Sequence, residues 1–333
     1  MHARRVLLAT ALLAACITTG DAVAARCGSD ASGRAIPDVA ARIAAVACAE
    51  HRLWFEPFID LKGRLASVHI SEAESAELAD GITPAWRRVT AYWQASGVQW
   101  PPSGYTDGAD CFGTLDEGAQ ASLCRTFLLD TPWSAVFVSY VMRQAGVQGF
   151  RASTRHVDYV RDAQLAGSAG PFRLVDPESE APAPGDLLCF TRLPDQAFGH
   201  DEFVDWLQRP FSGALAMHCD IVVAVDRNHA RLIGGNVLHG VTMRMLPVNR
   251  SGRFWSLAGR TAQAPACTPD RPDACDFNRQ DWVALLKLNP VSAPTAPPAS
   301  PCCEVCALPM PAGMQRCPIP TAPRVGTAGA ATR

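Results

Sequence analysis

Apolar residues recur at spacings of three and four in two stretches of 36–97: Val39, Ile43 and Val46, then Trp86, Val89, Tyr92 and Trp93. That period predicts helices across the region, each with one face turned to a core. A third stripe, Trp133, Val136, Phe137, Tyr140 and Val141, follows Asp130-Thr131-Pro132 and stops before Gly146. A capping residue, a proline in the first turn and a glycine at the end predict a buried helix there. After Pro182, Pro184 and Gly185 the period changes. Asp186-Leu187-Leu188-Cys189-Phe190 is a short continuous run that predicts a buried strand. Residues 217–225 alternate, with His218, Asp220 and Val222 on one face and Cys219, Ile221 and Val223 on the other. After the polar turn at 226–229 come a strand at Arg231-Leu232-Ile233, closed by Gly234-Gly235-Asn236, and another over 241–246. A helix followed by an antiparallel meander predicts the α+β class.

Between these patterns lie two stretches of another kind. Residues 101–130 are rich in Gly, Asp and Ser and predict a long structured connection. From 290 onward Pro, Ala and Thr dominate without periodicity, which predicts an extended tail. With 333 residues and 48% hydrophobic composition the chain buries a substantial core. Its net charge of −2 with only 19% charged residues provides no basic field for nucleic acid and no acidic excess.

The N-terminus carries an address. Arg4 and Arg5 precede an apolar run over 6–15, too short to span a bilayer and of the length found in a secretory signal. Two cleavage readings compete: Leu13-Ala14-Ala15-Cys16 as a lipoprotein box with Cys16 lipidated, or Ala22-Val23-Ala24 as an ordinary signal-peptidase site. Both imply export to the periplasm, with membrane attachment only through a lipid on Cys16. Thirteen cysteines agree with an oxidising compartment, and without Cys16 an even twelve remain. Proximity in sequence suggests Cys27 with Cys48, Cys111 with Cys124 and Cys267 with Cys275. Cys189 and Cys219, on strands expected to be adjacent, either pair or simply pack. Cys302, Cys303, Cys306 and Cys317 lie among prolines, where disulfides are favoured over a metal, and no cofactor is expected.

Ser134 lies in the first turn of the predicted helix, off its apolar stripe, where free backbone N–H groups and the helix dipole favour a developing anion. That setting suits a nucleophile and equally a capping serine. Ser153, His156 and Tyr159 fall at three-residue intervals, one face of a helix, and His156 is the best further candidate for lining a cleft.

Pro132-Trp133-Ser134-Ala135-Val136-Phe137-Val138, then Pro184-Gly185-Asp186, then His218 opening an apolar strand, then Gly234-Gly235-Asn236 followed by Val241 resemble the NlpC-type and CHAP-type cell-wall peptidases and amidases. Within that group the chain looks closest to domain-of-unknown-function family 2272. The resemblance covers 133–246 and implies a papain-like core in which a nucleophile-bearing helix packs on an antiparallel sheet, preceded by a helical extension. The implied organisation is a signal at 1–24 (1–15 if a lipoprotein), the extension and connection at 25–130, a hydrolase-type domain at 131–289 and a Pro-rich tail at 290–333. It implies a nucleophile at 134, a base at His218 and an orienting Asn236. Beside these, Trp133, His156 and Asp220 are read as lining the substrate site, with Asp220 as a second candidate orienter. Serine stands where the family pattern has cysteine. A cysteine here would be a preformed thiolate, whereas serine needs a base to take its proton during attack and a well-placed oxyanion hole. Two functions follow: a serine-dependent hydrolase cleaving amide bonds of peptidoglycan stem peptides, or an inactive domain that binds a wall peptide or a protein partner.

Overall fold

The computed structural model describes residues 27, 38–98, 111, 118–193, 196–209, 213–261 and 265–290. The signal and lipidation readings, the cysteines from 302 onward and the Pro-rich tail lie outside them.

The first two stripes form helices α1 (Val39–Leu53) and α2 (Ala85–Ser96). Asp38 caps α1 by accepting the Ala41 N–H at 2.7 Å, and Gly97 ends α2 at φ 77°. The segment between them departs from the helical reading. Pro57, Gly63, Gly81 and Pro84 interrupt it, and the carboxylates of Asp60 and Asp80 hold turns by accepting backbone N–H groups. Two short strands emerge there, β1 (Phe58–Ile59) and β2 (Leu65–Ala66). A second departure lies in the stretch ending at Asp130, read as a connection, whose described part is helix α3 (Ala119–Asp130). Asp130 therefore closes α3 and does not cap the next helix. Thr131-Pro132 forms a corner, and α4 (Ser134–Gln144) begins at Ser134, its first turn closed by the Phe137 N–H donating to the Trp133 carbonyl at 2.8 Å.

The remaining elements are α5 (His156–Ala166), β3 (Phe172–Val175), β4 (Leu187–Thr191), α6 (Gly199–Gln208), β5 (Met217–Val225), β6 (His229–Val237), β7 (Gly240–Pro247) and β8 (Asp281–Leu288). The strands form one mixed sheet in the order β2-β1-β7-β6-β5-β4-β8-β3. The expected meander is its centre, β4 to β7 pairing antiparallel in sequence order. β1 joins β7 in parallel, and β8, which the sequence pattern did not single out, lies between β4 and β3. The molecule is α+β.

Each face of the sheet is covered, as the continuous apolar runs of β4 and β8 require. Cys219, Ile221 and Val223 of β5 pack with Phe137 and Val141 of α4, Val89 and Tyr92 of α2 and Ile43 of α1. Val222, on the other face, joins Leu188, Phe190, Leu232, Leu246 and Trp282 under Phe254 of the segment after β7. The alternation read along 217–225 thus separates two cores.

Among the described residues four disulfides are formed: Cys27–Cys48, Cys111–Cys124, Cys189–Cys219 and Cys267–Cys275. Cys189 and Cys219 are register partners on β4 and β5. So many bridges suit the oxidising environment that exported proteins meet. Among the described residues no helix is long and apolar enough to cross a membrane.

Asp186, the last residue of Pro184-Gly185-Asp186, ties β4 to β8. Its buried carboxylate accepts the Ala183 N–H at 2.7 Å and the Leu288 N–H at 2.8 Å, and it pairs with the ammonium of Lys287. Asp186→Ala strands two backbone donors and a largely buried cation, so a loss of about 3 kcal/mol is expected. A lowered urea midpoint at unchanged slope measures it.

Candidate active site

Ser134 is the first residue of α4, and by helix geometry the N–H groups of that turn have no partner within the helix. The Ser134 side chain is only 5% exposed. Its Oγ lies 2.7 Å from Nε2 of His156, which opens α5. The other ring nitrogen of His156, Nδ1, hydrogen-bonds the Tyr159 hydroxyl. The face that carries His156 and Tyr159 at three-residue spacing is thus buried, whereas a polar, cleft-lining face was expected. Ser153, the third residue of that series, instead shapes the entry to α5. Its carbonyl accepts from Ser139 Oγ at 3.0 Å and its hydroxyl meets Asp158 Oδ2 at 2.6 Å.

His218, expected to partner Ser134, hydrogen-bonds elsewhere. Its Nε2 lies 2.8 Å from Asp220 Oδ1, two residues along β5, where strand alternation puts both side chains on one face. Asp220 Oδ2 accepts from Arg244 Nε of β7 at 2.9 Å. Arg244 in turn donates to the Phe277 carbonyl and to Asn278 Oδ1, the latter at 3.0 Å, and lies over the rings of Phe190 and Trp282. The His156 and His218 rings stand beside each other with centroids 5.1 Å apart. Two chains of polar groups therefore run side by side, Ser134–His156–Tyr159 and His218–Asp220–Arg244.

Gly234-Gly235 explains itself in this setting. A Cβ on Gly234 would stand 2.0 Å from Asp220 Oδ1 and 2.8 Å from His218 Nε2, and one on Gly235 would stand 2.4 Å from Phe137 Cβ. Only glycine lets β6 pass this close to the charged pair and to α4.

Asn236 departs from its expected role. It sits at a bulge of β6 with φ 56°, and its amide donates to Glu72 rather than to an imidazole. Glu72 is almost fully buried and also accepts the indole N–H of Trp133 at 2.8 Å and meets His239 Nδ1 at 3.1 Å. Trp133 is enclosed as well, stacked on Trp54 and Tyr92, so it supports the start of α4 from below and offers no wall to a substrate. Asp220, expected to line the substrate site, is buried and orients His218. Tyr159, Arg244 and Glu72 are the partners whose roles the sequence reading did not assign. Among the described residues no group of three or more His, Cys, Asp or Glu is arranged to hold a metal ion.

The electrostatics divide along the same two chains. Burial, reinforced by His218, pushes the His156 pKa well below the ordinary histidine value, so its ring is uncharged. Burial raises the Tyr159 hydroxyl well above the usual phenol, so it keeps its proton. Burial works against the charge of Asp220, but His218 and Arg244 together overcome it and hold the carboxyl well below the usual carboxylate range. An uncharged imidazole beside a hydroxyl at a helix N-terminus, next to a second imidazole anchored on an ionised carboxylate, is competent for general-base chemistry.

Two measurements probe this geometry. Gly234→Ala forces β6 away from Asp220 and should cost about 2 kcal/mol in chemical denaturation, a cost of overpacking rather than of backbone preference. His156 has a lower pKa folded than unfolded, so the unfolded chain takes up its proton first. The stability contributed by the neutral ring is complete above about pH 6.5 and is lost as pH falls below it. His156→Gln should therefore flatten the fall in unfolding free energy between pH 7 and 5.5, by up to about 1.4 kcal/mol per pH unit. Equal pH slopes in variant and parent would show that this ring is not held neutral.

No curated protein and no solved structure matches the chain. One family model does, over residues 80–288, which takes in α2 to β8 and every residue of both polar chains, while Glu72 lies outside it. The chain belongs to the bacterial family described as "Uncharacterized protein conserved in bacteria (DUF2272)".

Proposed function

We propose that the protein is an exported cell-envelope hydrolase that cleaves amide bonds of peptidoglycan stem peptides through an acyl intermediate on Ser134. One observation carries the reading: the Ser134 hydroxyl, at the N-terminus of a buried helix, lies 2.7 Å from an uncharged imidazole and beside a second histidine. Serine is a weak nucleophile until a neighbouring base accepts its proton, and two imidazoles are at hand. The free N–H groups of the first turn of α4 and the positive end of its dipole suit the oxyanion that forms on the attacked carbonyl. Water then releases the acyl group from Ser134 by the reverse steps. The resemblance to NlpC-type and CHAP-type enzymes supports a peptide-like substrate. The four disulfides, with the signal-like residues before 25, support a periplasmic location, lipid-anchored if Cys16 is the processed residue.

One observation favours a second reading. Ser134, His156 and His218 are each at most 5% exposed, which suits a domain that has kept the fold and binds a wall peptide or a protein partner without cleaving it.

Incubation of the processed protein with purified peptidoglycan and mass analysis of the released fragments separates the two. Fragment release is expected from wild type, and Ser134→Ala should lower its rate about 1,000-fold or more. A wild type that binds peptidoglycan, releases nothing and keeps its affinity in Ser134→Ala is the binder. Release that persists in full in Ser134→Ala defeats the assignment of the nucleophile.

A further inference from the structure

We propose that the cavity between the start of α6 and the start of β8 is a binding site for a primary ammonium group carried on a short aliphatic arm. It shares no residue with either polar chain, and the proposal stands whether or not Ser134 is catalytic.

The cavity holds about 470 Å³, room for a residue-sized ligand. Its walls come from the turn after β3, the start of α6, the segment after β7 and the start of β8. Each wall is held by its own hydrogen bonds. Asp281, buried at the start of β8, accepts the Phe198 N–H at 2.8 Å, the Gly199 N–H at 3.1 Å and the Thr191 hydroxyl. It thereby fixes the first residues of α6 and answers the positive end of that helix. The Arg260 N–H donates to the Gln280 carbonyl and the Gln280 N–H to the Ala258 carbonyl, each at 3.0 Å, so the segment after β7 runs beside the start of β8. Asp176 Oδ1 accepts the Glu178 N–H at 2.7 Å and shapes the turn that presents Glu178. Walls already in place lose little freedom when a ligand enters.

Charge selects the ligand. Asp176, Glu178 and Glu202 line the cavity against one cation, Arg260, whose guanidinium donates to the Gln196 carbonyl. Arg244, over the Trp282 ring, is matched by Asp220. Acidic residues on an open surface are ordinarily just solvated. These surround an enclosed volume with an apolar wall, in which Trp282 and Pro177 are buried and Phe198 and Leu257 half-buried. His200 adds an acceptor. Its Nδ1 lies 2.7 Å from the Val283 carbonyl, which only accepts, so the hydrogen of that contact is on Nδ1 and the neutral ring keeps its lone pair on Nε2. Among the described residues that Nε2 has no hydrogen-bond partner.

An ammonium is compact and has three hydrogens to give, so acceptors standing on separate segments suit it, whereas a guanidinium is matched by two parallel oxygens of one carboxylate. A metal ion is the poorer match, since among the described residues no three His, Cys, Asp or Glu converge as an ion requires. The aliphatic arm of the ligand then lies against the apolar wall. That wall sits near the candidate active site: the Trp282 ring meets Phe190 at 5.0 Å, and Phe190 meets His218 at 5.2 Å. A group held here is two ring contacts from His218.

NMR of the full processed chain, following the Trp282 indole and His200 ring signals, tests this by titration with Nα-acetyl-lysine amide, whose one charge is a primary ammonium. Both signals should move and saturate. Nα-acetyl-norleucine amide, the arm without the charge, and Nα-acetyl-glutamate amide, the charge reversed, should bind about tenfold more weakly or worse. Glu178 and Glu202 are exposed, so replacing both in Glu178→Gln/Glu202→Gln leaves the fold intact and should raise the Kd of the lysine probe about tenfold. Added salt should weaken binding as well. Ser134→Ala should leave the Kd unchanged. Signals that stay in place under a large excess of the lysine probe overturn the proposal, as does equal or tighter binding of either other probe. An unchanged Kd in the double variant removes the carboxylates from the site. A Kd raised by Ser134→Ala places the ligand on the Ser134 chain instead, and overturns the assignment to this cavity.

Discussion

Asp220 carries a full charge where water does not reach, and the centre of the sheet is arranged around satisfying it. A lone carboxylate in such a place costs many kcal/mol, so it survives only with a cation and further donors in good geometry. The cation comes from β7 and the imidazole from β5, with β6 running between them. With no side chain at Gly234, β6 crowds neither the Asp220 carboxylate nor the His218 ring. Register follows from the same requirement. A slip of one residue on β5 would turn His218 and Asp220 toward the helices and carry Cys219 away from Cys189.

The second polar chain depends on how two helices sit on that sheet. Ser134 meets His156 because α4 packs on β5 and β6 and α5 on β3 and β5, which brings their first turns together. What fixes the start of α4 is Trp133, packed on Trp54 and Tyr92 and bonded to the buried Glu72. Glu72 also takes the amide of Asn236, so one carboxylate links the helix start to the β6 bulge. A residue expected to orient an imidazole thus acts one step removed, on the frame that carries the nucleophile.

Much of the fold was legible in the sequence because the apolar period is a local signal. The α4 stripe, the β4 run and the alternation of β5 stand in the structure close to where they were read. Strand β8 was harder, since its middle, Trp282 to Leu286, is a short continuous apolar run that periodicity alone does not separate from a buried helix segment. The segment between α1 and α2 was misread because the helical spacing of the stripes on either side was extended across it, while its own prolines, glycines and Asp turns set the backbone. The site was legible in part. Ser134, His218 and Gly234-Gly235 stood out by position, and His156 by its spacing from Tyr159. The pairing among them was hidden because a hydrogen bond between α4 and α5 is a long-range event with no local trace. Arg244 was hidden for a related reason, as a charge in an apolar strand reads as an exposed edge until its partner is known.

The order of strands bears on how such a chain comes to be folded at all. β8 is the last strand in sequence among the described residues, yet it lies between β4 and β3, hydrogen-bonded to both. Until the chain is available through residue 288, β4 and β3 have no common neighbour, and the core beneath them stays open. Contacts joining residues a hundred positions apart form late, because loop closure comes before any gain from pairing. A nascent chain of this topology stays loosely structured until nearly its whole length is present. Closure of the core therefore waits on the strand made last, unlike a sheet whose neighbours pair in the order they are made.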